Sequence, residues 1–148
     1  MTDFGIGISI HAPPQLVFVV LCDVERWPEW TASTTNVKRV DSGPFREGSR
    51  ALIRQPKLRP AEWTVTALEE GRGFTWLTSI PGMQVTAEHR VVAEGDGSRV
   101  TLSLKFSGLL GSLVAWFYRD LNRRYLSLEA EGLRTRCESR DPARTLLL

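Results

Sequence analysis

Two histidines, two cysteines and two methionines are all that 148 residues supply of the side chains that most often hold metals, titrate near neutral pH or form disulfides. Cys22 and Cys137 lie far apart, with no CxxC pair and no Cys/His cluster, so neither a zinc site nor a disulfide framework is indicated. Cys22 sits in an apolar run and is expected to be buried, whereas Cys137, after the last helix, is expected near the surface. With two histidines and no clustered carboxylates, an oxygenase-type metal centre lacks ligands, and neither metal nor cofactor is expected. Charge of one sign is also scarce: 19 basic against 17 acidic residues leave a net charge of +2. The densest basic cluster, Arg119, Arg123 and Arg124, has Asp120 in its midst. Nucleic-acid binders carry denser patches, so no nucleic-acid partner is expected. Long apolar runs are missing too. The longest, residues 16–22, falls far short of the roughly 20 residues that cross a bilayer, so no integral membrane association is expected. The opening Met-Thr-Asp-Phe-Gly carries no basic region ahead of an apolar stretch, and a reduced cytoplasmic location is the expectation. There is no P-loop, no dinucleotide glycine pattern, no nucleophile elbow and no Ser/His/Asp order; Gly71-x-Gly73 reads as a turn.

What is present is ordinary globular composition, 42% hydrophobic and 24% charged. That suits one domain spanning residues 1–148, with its core over about 5–137 and a tail from 138. Ile6, Ile8 and Ile10 alternate with small residues, a first strand. Ala12-Pro13-Pro14 stops it and opens a short helix through Leu16, Val19 and Val20, since proline is tolerated at a helix start. Trp27-Pro28-Glu29-Trp30 begins a second short helical turn. Strands are predicted next at 37–40, 50–55, 62–68, 74–79 and 85–93. A seventh carries Val100, Leu102, Leu104 and Phe106 on one face. Trp63, Val65 and Ala67 share a face, as do Phe74, Trp76 and Thr78. Short glycine-bearing turns join the later strands, which makes them antiparallel neighbours in a meander.

The cover for this sheet comes from the C-terminal segment. Leu110, Val114, Phe117, Leu121, Tyr125 and Leu128 recur at helical spacing, with Arg119, Asn122, Arg123 and Glu129 on the opposite side. Asp120 and Arg124 form an i,i+4 pair. No proline interrupts 110–137, so one helix of roughly 28 residues, about 40 Å long, is predicted to lie across the sheet. The Leu146-Leu147-Leu148 end is expected to pack or to meet a partner.

Ile8-Ser9-Ile10-His11-Ala12-Pro13-Pro14 running into Val17-Phe18, then residues 23–30, Gly48-Ser49-Arg50, Gln55-Pro56, Trp63-Thr64-Val65-Thr66 and residues 96–102 carry a resemblance. In this order they resemble the START/Bet v 1-like superfamily, and within it the polyketide cyclase/dehydrase and lipid-transport group. The resemblance covers about residues 5–137. It implies an α+β helix-grip fold: a seven-stranded curved antiparallel sheet around a long C-terminal helix, two short helices after the first strand, and an apolar pocket between sheet and helix. The fold hosts many functions, so it fixes none.

Trp30, Trp63, Phe74, Trp76, His89, Leu104, Phe117 and Leu121 are the residues expected to line such a pocket; filling of the core is the competing account of each. Arg54, on strand three with Arg50, offers a bidentate grip for a carboxylate or phosphate, against a plain solvated surface role. His89 shares the parity of Val85, Ala87 and Val91, the apolar face, with Arg54 and Trp76 as candidate neighbours. It is therefore the candidate acid/base, unless a bulge reverses its direction. His11 reads as a turn residue. These residues support two readings of different class. One is a non-catalytic binder of a small hydrophobic molecule: a lipid, polyketide or aromatic metabolite. The other is a cofactor-free cyclase or dehydratase using His89. A homodimer or partner-binding module working through the tail is a third.

Overall fold

Each period-two segment becomes a strand of one sheet. The computed structural model describes residues 2–140; the 146–148 tail lies outside the described residues. In chain order the elements are β1 (Thr2–Ile10), α1 (Pro14–Cys22), a 3-10 turn (Val24–Glu29), β2 (Asn36–Arg39), β3 (Arg50–Arg54), β4 (Ala61–Glu69), β5 (Gly73–Ile80), β6 (Met83–Glu94), β7 (Gly97–Ser107), α2 (Gly111–Phe117) and α3 (Arg119–Arg140). The sheet runs β1-β7-β6-β5-β4-β3-β2, antiparallel throughout, so the meander is completed by β1 returning to pair with β7. This is the helix-grip α+β fold.

The helices and the inner sheet face share one core. Pro14 starts α1 where its missing N–H costs nothing, and Val17, Phe18, Val20 and Leu21 bury its inner side. Each such side chain contributes roughly 1.5–3 kcal/mol when fully buried. β6 keeps an unbroken register with both neighbours, and Val85, Ala87, His89 and Val91 are all buried. β4 departs from the expected alternation. Its register against β5 shifts between Val65 and Ala67, so Trp63 and Val65 are buried while Ala67 turns out to solvent. A bulge of this kind inserts one residue and reverses the facing of the residues beyond it.

The C-terminal segment differs from the single helix predicted. It divides at Tyr118 (φ −102°, ψ 17°), after Val114 and a Trp116-Phe117-Tyr118 run of poor helix formers. Asp120 meets Arg119 rather than Arg124. The buried stripe also differs in part: of the expected one Tyr125 is buried and Val114, Leu121 and Leu128 are half-buried. Gly111, Ala115, Asn122, Leu126, Leu133 and Cys137 are buried, while Leu110 and Phe117 are exposed. The inward face therefore lies roughly a third of a turn from the large apolar stripe. Cys137 is fully buried, correcting the surface position expected for it, and burial raises its thiol pKa to about 12.

α3 packs along β1, β7 and α1, and its C-terminal half is clamped. Arg136 donates to Glu29 at 2.6 Å, the His11 backbone N–H donates to Glu138 at 2.9 Å, and a Cβ on Gly132 would lie 1.9 Å from the Trp30 carbonyl oxygen. Nearer its N-terminus, the Tyr125 hydroxyl donates to the Pro56 carbonyl, fastening the β3–β4 loop to the helix. Gly132→Ala should gain helix propensity, worth about 1 kcal/mol, yet still lower stability by about 1–3 kcal/mol through overpacking. Thermal unfolding checks this; a raised Tm would show that the contact relaxes freely.

Asp41 organises the β2–β3 connection. Its carboxylate accepts the Arg50 backbone N–H at 2.9 Å, the Ser49 hydroxyl at 3.0 Å and the Arg39 guanidinium at 2.9 Å. The Arg50 N–H, helped by Ser49 and Arg39 and opposed by desolvation, lowers the Asp41 pKa to about 2. A carboxyl whose folded pKa is depressed stabilises the fold above its unfolded value, near 3.9. That contribution is lost as pH falls through about 2. Asp41→Asn should therefore cost about 1 kcal/mol at neutral pH, after allowance for partial solvent screening, and little at the acid end. Urea unfolding of both proteins at neutral and strongly acidic pH tests the point; a gap independent of pH would contradict it.

Candidate functional site between the sheet and the C-terminal helix

Strand register builds an aromatic wall. Phe74 on β5 lies directly opposite His89 on β6, and Trp76 opposite Ala87. The Phe74 and His89 rings stack with centroids 4.3 Å apart and planes 20° from parallel. Trp63 on β4 reaches Trp76 at 5.8 Å, and Phe45 from the β2–β3 loop meets Phe74 edge-on at 5.0 Å. Trp27, from the 3-10 turn, fills the middle. Its ring lies 5.4 Å from Trp76, 5.5 Å from His89 and 5.7 Å from Trp30, and its indole N–H donates to the Leu21 carbonyl at 3.0 Å.

The inward face of α3 is mostly apolar, with Leu126, Ala130, Leu133 and Cys137 in the core, but it carries two polar side chains, Asn122 and Glu129. Glu129 Oε1 lies 3.5 Å from His89 Nε2, with side-chain exposures of only 15% and 5%. Asn122, two helical turns earlier, is buried as well. Trp63 Nε1, Asn122 Nδ2 and Glu129 Oε1 are all buried without a hydrogen-bond partner. His89 Nδ1 lies 3.2 Å from the Phe74 carbonyl. A carbonyl only accepts, so Nδ1 carries a proton in that bond. Nε2 then faces a carboxyl, and the contact is attractive only if one further proton sits between them, on Nε2 or on Glu129. The structure thus brings His89 Nε2 and Glu129 Oε1 to 3.5 Å of each other in aromatic surroundings. Gly73 permits the approach of strands behind it: at φ +135°, a Cβ there would lie 1.8 Å from the His89 carbonyl oxygen.

Of the residues singled out from sequence, Trp63, Phe74, Trp76 and His89 come together, and Trp30 joins them through Trp27. Leu104 is half-buried on β7, opposite both Ala87 and Phe4, and Leu121 is half-buried on α3. Arg54 does not join. β3 turns Ala51 and Ile53 inward, which leaves Arg54 exposed and removes it as a neighbour of His89. Phe117 does not join either, since it is 72% exposed on α2. Sequence reasoning misses Trp27, and it places Asn122 and Glu129 on the solvent side. The stripe 111, 115, 122, 126, 129, 133 and 137 is as periodic as the larger apolar one, but it begins with Gly111 and Ala115 and is interrupted by the polar Asn122 and Glu129.

Beside this interior, a groove of about 290 Å³ opens between β1 and the N-terminal half of α3. Phe4, Ile6 and Leu126 give it apolar walls, and Arg123 and Asp3 stand at its rim, the guanidinium 5.9 Å from the Phe4 ring centre.

Sheet, grip helix and enclosed aromatic wall define a START/Bet v 1-like domain. The family model for polyketide cyclase/dehydrase and lipid transport matches residues 1–138, and the chain belongs to that family. No curated protein sequence matches it. Among solved structures it is similar to the ZhuI aromatase/cyclase from Streptomyces sp. R1128 (TM-score 0.76, 16% identity, 94% of each chain covered). It is also similar to a START superfamily protein from Mycobacterium smegmatis (TM-score 0.74, 15% identity, 93% of this chain and 97% of that one). Major latex-like protein 151 from Panax ginseng gives TM-score 0.74 at 12% identity, covering 92% of this chain and 97% of that one. At these identities the likeness is one of fold.

The His89–Glu129 contact has a thermodynamic signature. Glu129→Leu alone should destabilise, because it leaves His89 Nε2 buried and unpaired. His89→Phe combined with Glu129→Leu should recover that loss and match or exceed the parent by about 1 kcal/mol. A double-mutant cycle in urea measures the coupling; strict additivity would show that the two side chains do not interact.

Proposed function

We propose that this protein binds a small hydrophobic molecule, a lipid, polyketide or aromatic metabolite, between the sheet and α3. The observation that carries this reading is that Trp63 Nε1, Asn122 Nδ2 and Glu129 Oε1 are buried without a hydrogen-bond partner, with Glu129 3.5 Å from His89 of the aromatic wall. Buried polar atoms are nearly always paired, and leaving one unpaired costs about 1–3 kcal/mol. A ligand with an apolar body and one or two hydroxyl or carbonyl groups supplies the missing partners. Two donors and one acceptor fix its orientation, and the rings of Trp27, Phe74 and Trp76 take its flat or fatty part. The groove between β1 and α3 offers an apolar approach from solvent.

Native mass spectrometry of protein purified from its own host should show a co-purifying apolar species at defined stoichiometry. Titration with 2-naphthol should quench tryptophan emission saturably, and Glu129→Leu should weaken that binding about tenfold, the worth of one good hydrogen bond. A clean apo mass together with no saturable quenching would reject the reading.

The His89–Glu129 couple favours a second reading on the same pocket: a cofactor-free cyclase or dehydratase. A shared proton can be passed to a ligand carbonyl while the conjugate base takes one from the neighbouring carbon, with orientation of the chain supplying the rest. Turnover of a poly-β-ketone thioester that disappears in His89→Phe, with 2-naphthol binding retained, would establish catalysis. Binding without turnover would leave the protein a carrier.

A further inference from the structure

α2 is built inside out. Its small residues, Gly111 and Ala115, face the sheet and are buried, while Leu113, Trp116 and Phe117 are 64%, 64% and 72% exposed, with Leu109 ahead of them at 98%. Positions 109, 113, 116 and 117 have the spacing of one helical face. The patch extends onto the β5–β6 turn. The Leu110 N–H donates to the Gly82 carbonyl at 2.9 Å, and Ile80 beside it is 55% exposed. No charged residue occurs from Ser107 to Tyr118. Immediately beyond come Arg119, Arg123 and Arg124, all exposed, with Asp120 the one acid between 119 and 128. The loop that Tyr125 fastens to α3 adds exposed Lys57 and Arg59.

A contiguous apolar face of this size is uncommon on an isolated protein surface and marks something that covers it. A second copy across a two-fold axis would set one Arg119–Arg124 cluster beside another, and like charges disfavour that pairing. An apolar face with aromatic side chains, bordered by arginines, instead complements a bilayer with anionic headgroups.

We propose that α2 is a peripheral docking element for an anionic lipid surface. Leu109, Leu113, Trp116 and Phe117 enter the boundary between headgroups and acyl chains, and Arg119, Arg123 and Arg124 lie against lipid phosphates. No described helix is long and apolar enough to cross a membrane, and none is needed for this mode. The groove between β1 and α3, with Arg123 at its rim, then opens beside the bilayer.

Flotation with vesicles of phosphatidylcholine, with and without phosphatidylglycerol, tests the assignment. The protein should float with the phosphatidylglycerol vesicles at low salt, and less at high salt. Arg119→Gln, Arg123→Gln and Arg124→Gln together should weaken binding on the order of a hundredfold at low salt, about fivefold for each charge. Trp116→Ser with Phe117→Ser should weaken it by roughly tenfold or more. Trp116→Phe should still float but lose the blue shift of tryptophan emission. Equal flotation with neutral vesicles, or flotation untouched by the Trp116/Phe117 pair, would overturn the proposal. So would a dimer in sedimentation that this pair abolishes in a protein that does not float, which would assign the patch to a second copy of the chain.

Discussion

The contact on which the interior depends is the ring of Trp27 set against β5 and β6. The 3-10 turn that carries it is only six residues long, too short to be stable alone. It is held because the indole N–H closes onto the Leu21 carbonyl while the ring lies against Trp76 and His89. The consequences spread from there. Trp30, one turn on, meets α3 at Gly132, and Glu29 in the same turn pairs with Arg136. The C-terminal half of the grip helix is thus positioned by the turn that Trp27 anchors. The N-terminal half is fastened by Tyr125 to the β3–β4 loop, and beside that stretch the groove against β1 opens.

The same wall sets the chemistry. His89 cannot turn away, because Phe74 holds it twice: by stacking on its ring and through the carbonyl that fixes the Nδ1 proton. The free nitrogen is thereby aimed at α3. A leucine at 129 together with an apolar ring at 89 would be the stable choice in these surroundings. A carboxyl there leaves an oxygen without a hydrogen-bond partner, and Asn122 repeats the pattern one heptad earlier. Stability is given up on a single helix face, which is how a site differs from a filled core.

How much of this can be read from the chain varies with the size of the side chains involved. The seven strands, their antiparallel order and the inward direction of His89 are legible, because period-two alternation is unambiguous where β6 runs without a bulge. The facing of Ala67 is not, since nothing in Thr64-Val65-Thr66 announces the bulge. Trp63, Phe74 and Trp76 are legible by parity. Trp27 is not, because a short turn has no period to betray which ring points in. In the C-terminal segment two stripes share one period, and the more apolar one reads as the inner face although its first turn, Leu110 and Phe117, is exposed and only Tyr125 of it is fully buried. Arg54 misleads for a simpler reason: a five-residue strand with a charge at each end gives no phase until its neighbours Ala51 and Ile53 are known to be buried.

That failure of the apolar stripe is itself informative. Helix orientation is normally decided by which face gains most from leaving water, and over residues 109–117 that rule would turn Leu113, Trp116 and Phe117 toward the sheet. Steric closeness decides it the other way. Phe106 and the end of β7 leave room only for Gly111 and Ala115. Once α2 is docked through these two small residues, its phase is set, and the large side chains have no place on the protein. The same phase, carried through the bend at Tyr118, brings Asn122 and Glu129 inward. The inward position of Asn122 and Glu129 and the outward position of Leu113, Trp116 and Phe117 are therefore one arrangement, fixed by the close packing of α2 on β7, and they lie on opposite sides of one helical path.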